Sequence, residues 1–246
     1  MIPKMIHYCW FGKNPMPETV EKCIQSWKIY CPDYKIILWN ETKFNVNVHP
    51  YMFEAYQAKK WAFVSDLARL LIVYEHGGIY LDTDVELLKS LDIVRKNTFF
   101  FAIEKNRNSI SGEDTIHIAT GLGFGAESGN IVLKSLISEY DNVHFKLADG
   151  SVDKTPCPVR NSNALKKYGY RGNDELLQFF GGTIYPSEYF CPTEYSSKKT
   201  HFTDNTISIH HYDASWKSPK ERMVGRMKTE VRKIIYNLRG GGGTSK

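Results

Sequence analysis

Glu75-His76-Gly77-Gly78-Ile79-Tyr80-Leu81-Asp82-Thr83-Asp84 is the stretch on which the reading of this 246-residue chain turns. It divides into a helix end, a glycine stop, a short apolar strand and two carboxylates at the strand's carboxyl end. Gly77 and Gly78 suit a left-handed C-cap, which a Cβ resists. Ile79-Tyr80-Leu81 is too short for a helix and reads as a buried strand. Alternation along an extended chain turns Asp82 and Asp84 to one side. Adjacent carboxylates repel, and a hard divalent cation relieves that while keeping positions open for phosphate oxygens. The expectation is an Asp-x-Asp site for Mn2+ or Mg2+ and a diphosphate, at the C-terminal edge of a sheet where α/β folds bind ligands. As a bare tripeptide the same residues also read as a solvated turn.

Upstream, Glu54 to His76 reads as one long helix, with Trp61, Val64, Ala68, Leu71 and Ile72 at helical spacing. Asp66 and Arg69 share a face of it. An exposed i,i+3 pair adds only a few tenths of a kcal/mol. These two, however, sit in an apolar run, where charge is costly without a task. Nearer the start, Lys4 to Phe11 reads as a strand ending at Gly12. Pro15 and Pro17 then mark a turn, and a helix carrying Val20, Cys23, Ile24 and Trp27 stops before Cys31-Pro32. A second strand spans Lys35 to Trp39. This β-α-β opening with a right-handed crossover is half of a nucleotide-binding sheet. Trp10 ends the first strand, where it either stacks a base or closes the core. Residues 40–53 read as a loop.

Downstream, residues 85–91 read as a short strand or turn, Asn97 to Ile103 as a buried strand and Glu104 to Glu113 as a charged loop. Gly121-Leu-Gly-Phe-Gly lacks phosphate-loop spacing and a lysine, so it reads as tight packing beside the ligand. Asn130 to Tyr140 is an amphipathic helix, and 141–167 is polar. Gly172-Asn-Asp-Glu175 reads as a helix N-terminus, or as a loop near an acceptor. In Ile207 to Trp216, alternation sends His210 and His211 to opposite faces, so at most one meets a metal. His211 is taken as that ligand, with His210 as the alternative. Residues 1–218 form one α/β domain in this reading. Residues 219–239 form a basic amphipathic helix, lying on an anionic membrane or on the domain itself, and 240–246 a flexible tail.

The net charge of +5 fits nucleotide diphosphates and anionic surfaces and does not by itself imply nucleic acid. Five cysteines without a Cys-x-x-Cys pair suggest reduced thiols. With no signal pattern and no 18-residue apolar run, the expectation is a cytoplasmic protein, or one peripheral on the inner face of the membrane.

Phe63-Val-Ser-Asp-Leu-Ala-Arg69 and Tyr74-Glu-His-Gly-Gly-Ile-Tyr-Leu-Asp-Thr-Asp84 resemble the signature of the DXD-containing transferases of glycosyltransferase family 32. Ile2-Pro-Lys-Met-Ile-His-Tyr-Cys-Trp-Phe-Gly12 resembles that family's first strand, and the catalytic domains of the large glucosylating toxins are similar in these motifs. The resemblance covers roughly the first 90 residues. It implies a GT-A-like α/β domain with a Rossmann-like nucleotide-binding N-terminal half and a mixed central sheet. It also implies metal-dependent, retaining transfer of a hexose to a glycan or lipid-linked glycan in surface-polysaccharide or capsule assembly. UDP-hexose is the first donor and GDP-mannose the second. In this reading Trp10 stacks the base, and Gly12, Ser65, Tyr80 and Trp216 line the nucleotide-sugar pocket. Asp66 and Arg69 hold sugar hydroxyls, Asp84 binds the metal, and Asp82 serves metal, ribose or sugar. The segment around Trp216 resembles the family's C-terminal His…Ser-Trp closure. The family's Thr-Gly-Pro is represented only by Thr155-Pro156. No carboxylate for the opposite sugar face is evident, so front-face substitution is expected. Two rivals use the same residues: a haloacid-dehalogenase-like phosphohydrolase with Asp82 as nucleophile, and a nucleotide-sugar-binding module without turnover.

Overall fold

The computed structural model describes residues 1–107, 114–193 and 199–213. In chain order, the N-terminal elements are β1 (Met5–Cys9), α1 (Glu18–Tyr30), β2 (Lys35–Trp39), α2 (Pro50–Gln57), α3 (Trp61–His76), β3 (Gly78–Tyr80) and β4 (Val85–Leu87). They are followed by β5 (Phe99–Arg107), β6 (Asp114–Ile118), β7 (Phe124–Ala126), α4 (Ile131–Ser138) and α5 (Cys157–Lys166). The last are β8 (Leu177–Phe179), β9 (Gly182–Tyr185), α6 (Ser187–Phe190) and β10 (Ser208–His210). The large sheet runs β2-β1-β3-β7-β5-β9-β8, with β6 paired to β5. β1 lies parallel to both β2 and β3, whereas β7 is antiparallel to β3 and to β5. The fold is therefore α/β with a mixed central sheet. A second, two-stranded sheet pairs β10 with β4.

Both faces of the large sheet are covered, which is why its strands read as continuous apolar runs. Phe99, Phe101 and Ile103 pack with α2, α3, α4 and α5 on one face. Phe100 and Ala102 pack on the other with Ile79, Leu81, Trp27 of α1 and Phe190 of α6. The glycine stop behaves as its sequence demands. Gly77 and Gly78 have φ 67° and 103°, and the Gly77 N–H bonds the Val73 carbonyl. A Cβ on Gly78 would lie 2.8 Å from His7 Nε2, so a side chain there would part β3 from β1.

Several elements depart from the sequence expectation. The long helix is two helices: Lys59 at φ 55° turns the chain between α2 and α3. The loop expected over 40–53 contains a 3-10 turn, Val46–Val48, and the start of α2, where the His49 ring accepts the Tyr51 N–H and Pro50 fills a position needing no donor. β5 continues through Glu104 because β6 supplies its ladder, pairing Glu104 with His117. The polar stretch 141–167 holds α5, whose buried face is mixed: Arg160, Asn161 and Ser162 are enclosed beside Ala164 and Leu165, and Arg160 pairs with Asp153. Residues 172–175 start no helix; instead the Asp174 carboxylate accepts the N–H and hydroxyl of Ser187 at the head of α6. Trp216, the expected helix over 219–239, the tail and 108–113 lie outside the described residues.

Candidate active site

Strand order reverses at β1, with β2 on one side and β3 on the other, and a parallel α/β sheet opens a crevice beyond its carboxyl ends at such a switch. A cleft of about 380 Å³ opens there. Trp10 and Phe11 leave β1 into one wall, and Tyr80, Asp82, Thr83 and Asp84 leave β3 onto the base. Glu104 of β5 stands in the far wall, two strands beyond β3. Strands are about 4.8 Å apart, so the cleft crosses about 14 Å of sheet edge.

Asp82 and Asp84 face the cleft together, as alternation requires. Asp82 Oδ1 accepts the Tyr80 hydroxyl at 3.0 Å, and Oδ2 lies 3.3 Å from Arg69 Nη1. Its backbone N–H donates to the Gly121 carbonyl at 3.0 Å. Asp84 Oδ2 accepts the Asp213 N–H at 3.0 Å, and Oδ1 lies 3.1 Å from His210 Nε2. Burial raises the Asp82 pKa, helped by the Asp84 charge and opposed by Arg69. Burial acts on Asp84 in the same direction, yet the His210 imidazole outweighs it and holds that carboxyl below its ordinary value.

Asp82, Asp84 and His210 offer ligand atoms that all lie within 4.8 Å of one another. Two carboxylates and an imidazole suit a divalent cation such as Mn2+. His210 Nδ1 is buried and has no hydrogen-bond partner among the described residues, so the ring is not committed elsewhere on both sides. The residues therefore fit the cation the sequence led us to expect.

Arg69 is the buried anchor beside the cluster. On α3 its Nε donates to the Ser65 carbonyl at 3.0 Å, Nη2 bonds Asp66, and the guanidinium lies 5.2 Å from the centre of the Tyr80 ring. A guanidinium shared by two carboxylates tolerates burial where a single charge would not. Burial pushes Asp66 up to about 6 against the pull of Arg69. Ser65, Asp66 and Arg69 all line the cleft.

Trp10 lies in the wall with its indole N–H donated to the Asn14 carbonyl at 2.7 Å. Trp61, at the head of α3 and expected only as core, also lines the cleft. Gly12 does not: at φ 94° a Cβ there would lie 2.6 Å from the Trp61 ring, so this glycine lets Trp61 close up. His211 is likewise corrected. Its ring bonds Glu86 at 2.8 Å, away from Asp82 and Asp84, because β10 pairs His210 with Val85 and turns His210 toward Asp84. Thr120, Cys157, Pro158, Tyr212 and Glu104 complete the cleft; the sequence reading placed none of them there. Glu104 matters most, since it adds a carboxylate in the wall away from Asp66, Asp82 and Asp84, where the sequence offered none. All five cysteines are buried and unpaired.

Residues 17–101 match the model described as glycosyltransferase sugar-binding region containing DXD motif. The chain is 34% identical over 95 residues to inositol phosphoceramide mannosyltransferase 3 of Schizosaccharomyces pombe, covering 37% of this chain and 26% of that protein. It is 32% identical over 114 residues to the uncharacterized glycosyltransferase L373 of Acanthamoeba polyphaga mimivirus, covering 44% and 45%. The chain thus spans less than half the length of these relatives. Among solved structures, the PaToxG glycosyltransferase aligns over 68% of this chain and 70% of its own, with 18% identity and a TM-score of 0.49.

Proposed function

We propose that this chain, which carries the DXD-containing sugar-binding region of glycosyltransferases, moves a hexose from a nucleoside-diphosphate donor to a glycan or lipid-linked glycan, with a divalent cation held by Asp82, Asp84 and His210. The observation that carries this reading is the three-ligand cluster at the base of a tryptophan-walled cleft, at the strand-order switch. When bound, the cation supplies Lewis acidity toward the departing diphosphate.

The chain's own residues do the rest. Trp10, its ring steadied by Asn14, offers a face on which a base gains about 1–3 kcal/mol by stacking. Tyr80 and Arg69 occupy one lone pair each of Asp82 and so set the direction of the others. Arg69 is fixed at three of its nitrogens and presents a rigid positive edge; Asp66 beside it accepts sugar hydroxyls. Both oxygens of Asp82 are engaged, which suits a held ligand better than the free nucleophile of a phosphohydrolase. Retention of anomeric configuration follows the motif resemblance. One named relative, that of Schizosaccharomyces pombe, is a mannosyltransferase, and this supports GDP-mannose as a donor alongside UDP-hexose.

Calorimetric titration with Mn2+ and then UDP or GDP tests the assignment. Nucleotide binding should require Mn2+ and favour one base. Asp84→Asn and His210→Gln should abolish it, and His211→Gln should leave it within about twofold, because that ring serves only an exposed pair. Failure of both nucleotides to bind the wild type would overturn the reading. Binding of the matching sugar nucleotide without hydrolysis to free sugar or formation of a transfer product would leave a sugar-nucleotide-binding module.

A further inference from the structure

The sharpest conflict between sequence and surface lies at the other end of the sheet. β8 and β9 are joined by a turn through Phe180 and Gly181, both with positive φ, 47° and 73°. Such turns favour Asn, Asp and Gly, and a phenylalanine there is strained. Phe180 recovers little of that cost by burial, since it remains 73% exposed. The turn is nonetheless held firmly. Thr98 donates its N–H to the Gly181 carbonyl at 2.9 Å and its hydroxyl to the Phe180 carbonyl at 3.0 Å. Strain that buys no burial, on a backbone this well pinned, points to a task at the surface.

The neighbourhood shows which task. The Tyr168 ring lies 6.0 Å from Phe180, and its hydroxyl meets Ser135 of α4 at 2.7 Å. One turn back on α4 stands Ile131, 70% exposed, next to Asn130, whose amide reaches the same Thr98. Two apolar tips therefore protrude from one end of the molecule. Two lysines stand beside them: Lys134, three residues along α4 from Ile131, and Lys167 just past α5, whose Nζ lies 5.3 Å from the centre of the Tyr168 ring. Among the described residues, neither lysine is paired with a carboxylate. Protruding apolar tips beside two lysines match the interface of an anionic bilayer, where rings enter the headgroup layer and lysines meet lipid charge.

We infer that the Phe180–Ile131 end docks on an anionic lipid surface. β9 runs parallel to β5, so this end lies opposite the cleft, at the amino ends of both strands. A chain docked this way presents its cleft away from the lipid that holds it. The inference is independent of the sugar-transfer assignment and stands or falls by a separate assay.

Cosedimentation of the full chain with phosphatidylcholine vesicles, with and without phosphatidylserine, tests it. The wild type should partition onto the phosphatidylserine vesicles and be released by salt. Lys134→Glu with Lys167→Glu should weaken partition at least about 25-fold, at about fivefold for each lysine lost. Phe180→Asn should weaken it at least about fivefold without loss of fold, since asparagine suits φ 47°. The thermal midpoint of Phe180→Asn, equal to or above wild type, confirms that the loss is not unfolding. Wild type that stays in the supernatant overturns the inference. So does Phe180→Asn that binds as wild type, which would place the contact elsewhere on the chain. A wild-type dimer in sedimentation velocity that Phe180→Asn disperses would make the patch a copy-to-copy interface and overturn it equally.

Discussion

A methyl group on Gly121 would sit 2.3 Å from Asp82 Oδ2 and 3.0 Å from Arg69 Nη1. The glycine leaves the space in which the carboxylate and the guanidinium meet. Gly121→Ala should therefore push Asp82 off Arg69, cost about 1–3 kcal/mol as an overpacked site, and lower Mn2+ affinity by about tenfold. Unfolding by urea measures the first and Mn2+ titration the second; unchanged Mn2+ affinity would show that Asp82 does not need its present position. At this scale the sequence was informative wherever a relation is local. Asp82 and Asp84 share a side because alternation is a property of one strand, and Asp66 and Arg69 share a face because three residues make nearly a turn. His210 could not be chosen over His211 on that basis. Alternation separates the two rings, but the β10–β4 register decides which one faces Asp84.

Elements were legible to the extent that their own residues specify them. β2 and β3 formed where the apolar runs predicted, and α1 ended before Cys31 as expected. The split between α2 and α3 was not visible, because Ala58-Lys59-Lys60 carries no proline or glycine and the turn depends on Lys59 adopting φ 55°. α5 escaped because half of its buried face is polar, which breaks the apolar period, and is satisfied by partners distant in sequence, such as the Glu139 carbonyl on Arg160. The joint between α1 and β4 is of the same kind. The Trp27 indole N–H donates to the Val85 carbonyl at 2.7 Å, and the Ser26 hydroxyl accepts the Leu87 N–H at 2.9 Å. Trp27→Phe keeps most of the apolar bulk but leaves the Val85 carbonyl without its donor. It should cost about 1–3 kcal/mol in urea unfolding, and amide exchange should quicken at β4 and β10 before it does in β1. Uniform quickening across both sheets would show that the joint is not local.

Across the molecule, His7 ties three segments together. Its Nε2–H donates to the Gly77 carbonyl at 2.8 Å, while Nδ1 accepts the Trp39 indole N–H at 3.1 Å. A ring that must accept at one nitrogen is held neutral, and burial lowers its pKa from 6.5 to about 4. As pH falls from about 6.5 toward 4, the unfolded chain takes up this proton before the native state does, so the His7 contribution to stability is lost. Asp66, raised to about 6, binds its proton first in the native state and returns stability over an overlapping window. The opposed pair should leave the wild-type profile comparatively flat. The difference between wild type and His7→Gln isolates one side of it: the wild-type advantage at pH 7 should shrink by about 3 kcal/mol at pH 4. A difference independent of pH would mean that His7 titrates normally. The sequence by itself determined the β-α-β opening, the paired carboxylates and the buried Asp66–Arg69 face, because each element is written in a local periodicity of four residues or fewer. Only the tertiary structure decided that His210 joins the carboxylates, that Glu104, Trp61 and Tyr212 wall the cleft, and that Gly12 and His211 stand outside it. Those choices rest on strand register and sheet order, which bring together residues separated by tens of positions and leave no local periodicity to read.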